Sequence, residues 1–169
     1  PDDLIAREQI RDVVYRYARG VDRRDFALVR GCYHPDATDD HGAYSGGIDG
    51  FIPWLEGQLA RWSVTSHTMA NILIELHDDR ARVETYAVAY HRTIAQAGKP
   101  LRDITAGVRY VDVLRDDDLV GAPGDPEHSW LGLMRFDYVT MIEALGGDAS
   151  ALKALDVSDV GPDTAEYPQ

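Results

Sequence analysis

A single cysteine, Cys32, stands in a chain of 169 residues. A lone thiol excludes an internal disulfide and a cysteine-based zinc site. No apolar run approaches the roughly 20 residues that a membrane-spanning helix needs. The opening stretch, PDDLIAREQI, lacks the basic start and apolar middle of a secretion signal, so a cytoplasmic protein is the expectation. Positive charge is also scarce: 17 Lys and Arg face 29 Asp and Glu, a formal net charge of -12. That balance repels nucleic-acid backbones and anionic membranes, so neither is an expected partner. It favours a neutral substrate unless basic groups gather locally. Internal repeats, low-complexity blocks and an interdomain linker are missing as well. The remainder is ordinary for a globular chain, with 44% hydrophobic and 27% charged residues. The length suits one domain with a full core.

The pattern of what is present divides in two. Ala6, Ile10, Val13, Val14, Tyr17 and Val21 recur at helical steps and make one apolar stripe. Gly20 reads as a left-handed stop for that helix, which puts Asp22 on the turn. Asp25 can cap a second short helix, which Tyr33-His34-Pro35 ends. Gly46-Gly47 reads as a turn before a third helix from about Ile48 to Arg61, with Phe51, Leu55 and Leu59 inward. After Trp62 the period changes to that of strands, over 64–76, 81–94, 101–114 and 129–142. Helices first and a meander of strands after them predict an α+β fold. One domain over 1–145 is expected, followed by an acidic tail over 146–169 in which Lys153 is the sole base.

The stretches IRDVVYRYARGVDRRDFALVRGCYHPDA, TSHTMANILIEL, RVETYAVAYHR, GVRYVDVLRDD and WLGLMRFDY resemble the SnoaL-like group of the NTF2-like superfamily over roughly 4–142. The resemblance implies a cone: a curved, mostly antiparallel sheet wrapped by three N-terminal helices around a pocket. The chain is most similar to the subset with hexachlorocyclohexane dehydrochlorinase, bile-acid 7α-dehydratase and scytalone dehydratase. That subset implies an Asp-His dyad, and likeness to such relatives implies a homo-oligomer, trimer or dimer; a small hydrophobic substrate and no cofactor are the expectation. Asp22 matches the dyad aspartate and His67 the dyad histidine. Tyr17 and Arg135 match further pocket positions, and His91 matches a second pocket histidine.

The residue types suit elimination next to an activated carbon. Histidine is a base near working pH, and a carboxylate on one ring nitrogen fixes its tautomer and stabilises the imidazolium. Tyr17 could protonate a leaving hydroxyl, and Arg135 could stabilise developing negative charge. Asn71, four residues after His67 along a strand, is expected on the same face and so near the ligand. Each residue also has a plainer reading. Asp22 can cap a helix, His67 can be a core histidine, and Tyr17 lies on the apolar stripe. Arg135 can pair with Asp137 or a tail acid, and the face of His91 depends on strand register. His34, Asp36, Asp39, Asp40 and His41 read as a solvated turn at Pro35 rather than a metal site. The expected function is a cofactor-independent lyase of the dehydratase type, or an isomerase, acting on a hydroxylated ring compound. The rivals are a polyketide cyclase-like enzyme, in which the aspartate acts directly, and a non-catalytic ligand-binding or assembly module.

Overall fold

The computed structural model describes residues 2–116 and the backbone of residues 130–144. The acidic tail over 146–169 and most of the loop over 115–128 lie outside the described residues. Three helices come first: α1 (Asp2–Arg23), α2 (Phe26–Arg30) and α3 (Ile48–Leu59). Two short strands, β1 (Thr38–Asp40) and β2 (Ser45–Gly47), precede α3. Four long strands follow: β3 (Trp62–His77), β4 (Arg80–Thr93), β5 (Asp103–Asp116) and β6 (Trp130–Ala144). They form one open sheet in the order β2-β1-β6-β5-β4-β3, antiparallel except where β1 runs parallel to β6. The architecture is α+β, with a curved sheet whose inner face is covered by helices.

The helical stripe read from the sequence is the part of α1 that enters the core, with Ile10, Val13, Val14, Tyr17 and Val21 all buried. From α3, Ile48, Phe51, Leu55 and Leu59 join them. On the sheet the buried side alternates as strand geometry requires. Ala81, Val83, Thr85, Ala87 and Ala89 face inward on β4, and Ala106, Val108, Tyr110 and Leu114 on β5.

Two turns differ from the sequence reading. Gly20 does not stop α1, which continues to Arg23. The left-handed position is Arg24, at φ 54°. Its N–H donates to the Val21 carbonyl, and Asp25 N–H donates to the Gly20 carbonyl, the double bond of a Schellman end. The Arg24 guanidinium donates onward to the carbonyls of Leu59 and Trp62, which holds this strained residue in place. Gly20 serves packing instead. A Cβ there would stand 2.7 Å from Val29 Cγ2 and 3.1 Å from Val29 N, so only glycine lets α2 approach this closely. Asp22 therefore belongs to the last turn of α1, and the helix aims it. Asp25 caps α2 by accepting from Leu28 N–H at 3.0 Å. Gly46 and Gly47 lie in β2 rather than in a turn; the chain reverses over 41–44, with Gly42 at φ 69°.

Candidate active site

Asp22 reaches from the last turn of α1 to the middle of β3. Its Oδ1 lies 2.7 Å from His67 Nδ1, and its Oδ2 accepts the His67 backbone N–H at 2.8 Å. One carboxylate thus holds both the ring and the main chain of the same residue. The His67 side chain is only 8% exposed and that of Asp22 21%. Burial raises the Asp22 carboxyl pKa, but the hydrogen bonds from His67, its charge and a hydrogen bond from Thr65 outweigh it. The net result lies below the ordinary carboxylate value. The anion is held against the helix dipole, which disfavours negative charge at a C-terminal turn. The partner offsets what the position itself disfavours.

With Nδ1 turned to Asp22, Nε2 of His67 is the nitrogen left for a ligand, and no hydrogen bond reaches it among the described residues. The pair lines an open groove of about 650 Å³ between α1 and β3, shared with Thr65 and Met69. His91 stands beside it. The register pairs Thr65 with His91 and His67 with Ala89, so His91 shares the inner face. Its ring meets that of His67 edge-on, 5.6 Å between centroids, and lies 5.0 Å from Trp62. Burial, then the charge of His67, pushes the His91 pKa down to about 4. His91 is therefore a neutral hydrogen-bonding group near neutral pH. Ala89, two residues before it on β4, and Ala106, which pairs with Ala89 from β5, are small.

The other predicted residues are placed differently. Tyr17 is buried in the core, edge-on to Tyr33 and Tyr110 at 6.1 Å each. Burial, with the charges of Tyr110, Asp39 and Asp112, raises its pKa well above the usual phenol value, which makes it a poor acid. It does not line the groove. Asn71 leaves the face of His67, a correction to the four-residue count. The ladder shifts register between Ala70 and Ile72, and Asn71 sits exposed at that bulge with φ 23°. Beyond it, Ile72 and Ile74 carry the inward face. Arg135 pairs by register with Val111 and Asp40.

The histidine–aspartate turn also differs from a fully solvated one. Asp39 is buried, with Tyr33 Oη donating at 2.9 Å and His41 Nδ1 at 3.1 Å. His34 and Asp36 instead meet Arg115 from β5. Sequence reasoning did not single out Thr65 or Trp62 for the site. The signal for Thr65 was available, since it lies two residues before His67 on one strand. Trp62 needed the register of β3 against β4.

The family pattern of the SnoaL-like domain matches residues 2–120. An uncharacterised protein of Mycobacterium tuberculosis is 29% identical over 125 residues, covering 72% of this chain and 79% of that protein. Among solved structures, a scytalone dehydratase-like protein of Novosphingobium aromaticivorans superposes with a TM-score of 0.68 at 19% identity. It covers 85% of this chain and 90% of its own. A hexachlorocyclohexane dehydrochlorinase of Novosphingobium barchaimii gives a TM-score of 0.70 at 18% identity, with 86% and 94% covered. At such identities the likeness is one of fold. No helix among the described residues is long and apolar enough to cross a membrane. With the pattern matched from the start of α1 to the end of β5, and the α+β cone shared with these structures, the chain belongs to the SnoaL-like domain family of the NTF2-like fold.

Proposed function

We propose that this protein is a cofactor-independent lyase of the dehydratase type, acting on a small hydrophobic hydroxylated ring compound, with His67 as base and Asp22 as its orienting partner. The observation that carries the reading is the double grip of Asp22 on His67, through Nδ1 and the backbone N–H. A carboxylate on Nδ1 keeps the proton there and leaves the Nε2 lone pair facing the groove. That lone pair takes a proton from the carbon next to an activating group. The C–H electron pair becomes the new double bond, and the hydroxyl on the adjacent carbon leaves. The hydroxyl takes up the proton that His67 collected, directly or through water, and departs as water, which returns the ring to its neutral form. Asp22 stabilises the imidazolium while the proton is on it. In this reading His91, neutral near pH 7, hydrogen-bonds the departing oxygen. Double-bond migration is the same first step with the proton returned to another carbon. Both oxygens of Asp22 are engaged, which argues against the aspartate acting directly as in a cyclase. The folds shared with a dehydratase-like protein and a dehydrochlorinase, both named for eliminations, support the reaction class.

The test is a panel of hydroxylated ring ketones and phenols, scored by mass for loss of water, with wild type, Asp22→Asn and His67→Ala side by side. Turnover by wild type that His67→Ala loses supports the reading. A dead Asp22→Asn beside an active His67→Ala points to direct action of the aspartate and sinks it. We also infer a homo-oligomer through the outer sheet face, where Tyr86 is 42% and Val88 48% exposed. Sedimentation that gives monomer alone rejects that inference.

A further inference from the structure

The chain is strongly acidic, yet the end of the fold that holds His67 and His91 is cationic. Arg19, Arg23 and Arg24 line the groove beside Asp22 and His67. Arg61, Lys99 and Arg102 line a second groove of about 550 Å³ that contains Trp62. All six are exposed. The two grooves are tied together locally. Arg24 donates to the Leu59 and Trp62 carbonyls. Arg61 lies 6.0 Å over the Trp62 ring, and that ring lies 5.0 Å from His91.

The cations here are also held differently from those elsewhere. Arg19, Arg23, Arg24, Arg61 and Lys99 make no ion pair among the described residues. At this same end Arg92 pairs with Asp103, and away from it the described arginines are ion-paired, as Arg30 is with Asp49, Arg109 with Glu84 and Arg115 with Asp36. Arg7, the exception, donates to the Ile74 carbonyl. In the two grooves Asp22 is the sole acid, and His67 already engages it. With acids outnumbering bases 29 to 17, unpaired cations gathered at one end are not what a surface arranged for solubility alone would show.

We propose that the substrate carries an anionic oxygen group, a carboxylate or a phosphate, which this cationic rim holds while the ring lies against His67 and His91. The inference rests on the elimination reading for the position of the ring, and it reverses the neutral substrate that net charge alone favours. Anions attracted over the Debye length of about 8 Å at physiological salt would be delivered to the one end that can receive them. Trp62 supplies the apolar step between the charged rim and the histidines.

The test is a binding titration by NMR at pH 7, which follows the Trp62 indole N–H, assigned with Trp62→Phe, and the His67 ring signals. The probes are benzoate, phenyl phosphate and benzyl alcohol. The expected result is that one or both anions shift these signals and bind more tightly than benzyl alcohol. Phenyl phosphate ahead of benzoate assigns a phosphate group, and benzoate level or ahead assigns a carboxylate. In Arg23→Glu/Lys99→Glu the anions should bind roughly tenfold more weakly per reversed charge, on unit charges several Å apart in water-like dielectric, with benzyl alcohol unchanged. The milder Arg23→Gln/Lys99→Gln should weaken them about half as much on a logarithmic scale. Benzyl alcohol binding as tightly as both anions, anion affinities unmoved by charge reversal, or no anion-induced shift of Trp62 each overturns the proposal. Titrating His67→Ala in parallel, read at the Trp62 indole N–H, keeps the two questions apart, because that variant removes the proposed base and leaves every charge of the two grooves in place.

Discussion

Replacing Asp22 by asparagine changes one atom's hydrogen-bonding sense and should reverse the tautomer of His67. In the wild type both carboxylate oxygens accept, one from the ring and one from the His67 backbone N–H at 2.8 Å. Asparagine offers one oxygen and one NH₂. If its oxygen takes the ring, the NH₂ faces the backbone N–H, two donors opposed, at a cost of about 1–3 kcal/mol for an unmade buried bond. If its oxygen takes the backbone N–H, the NH₂ donates to Nδ1. The ring proton must then move to Nε2, and the lone pair that faced the groove is gone. The second arrangement wins. The imidazolium also loses its counter-charge, worth up to about 4 kcal/mol at 4 Å in the effective dielectric of a protein surface. The two effects together place the loss of kcat at roughly 10²–10⁴-fold. Turnover of any compound from the ring panel gives the rate, and ¹⁵N shifts of the His67 ring give the tautomer. Stability should fall by only about 1 kcal/mol, because a neutral amide suits the C-terminal end of a helix better than a carboxylate does. Asp22→Asn within tenfold of wild-type activity while Nε2 carries the proton would refute the reasoning.

Four further outcomes follow from the geometry. His91 has its folded pKa lowered to about 4, so the unfolded chain binds its proton first as pH falls. Its contribution is full above about pH 6.5 and is lost between there and about 4; after allowance for partial exposure, His91→Gln should remove about 1–2 kcal/mol of that acid slope in urea melts. Asp22, held below the ordinary carboxylate range, contributes stability above that range that is lost as pH falls through its folded value, and Asp22→Asn should flatten the same curve at still lower pH. Gly20→Ala gains helix propensity yet drives a Cβ to 2.7 Å from Val29 Cγ2, so it should lower stability by about 1–3 kcal/mol; an unchanged or raised Tm contradicts the packing role. Asn71→Gly relieves a residue at φ 23° and should leave turnover unchanged, whereas a clear rise in KM would return Asn71 to the ligand.

What could be read from the chain and what could not separate along a physical line. The stripe from Ile10 to Val21, the switch of period after Trp62 and the cap at Asp25 are local patterns, and local patterns survive folding. The meeting of Asp22 with His67 came from resemblance, since nothing local brings residues 45 positions apart together. Facing was harder. A strand count puts Asn71 on the face of His67, and a single bulged residue reverses it. Gly20 looks like a stop because glycine favours the left-handed region, but here it is small rather than left-handed, and smallness matters only once α2 is placed against it. Asp39 beside Pro35 looks solvated until Tyr33 and His41 are found to enclose it. The cationic rim joins residues from α1, the end of α3 and the β4–β5 turn, so no window of sequence holds it.

The His67 backbone N–H bears on association as well as chemistry. Among the described residues β3 is the last strand of the open sheet, with β4 on one side and no strand on the other. A long strand with a bare row of donors and acceptors is a template for pairing with another chain, and folds guard such borders with charge, bulges or a covering element. Here the bulge at Asn71 interrupts the border, and the Asp22 carboxylate caps a donor on it. The side chain proposed to hold the base is at the same time a stopper on an exposed hem of the sheet. Truncating it to alanine would open that hem while it silenced the histidine, so aggregation and inactivity would arrive in one substitution. Asparagine, which keeps an acceptor for the N–H, would separate them.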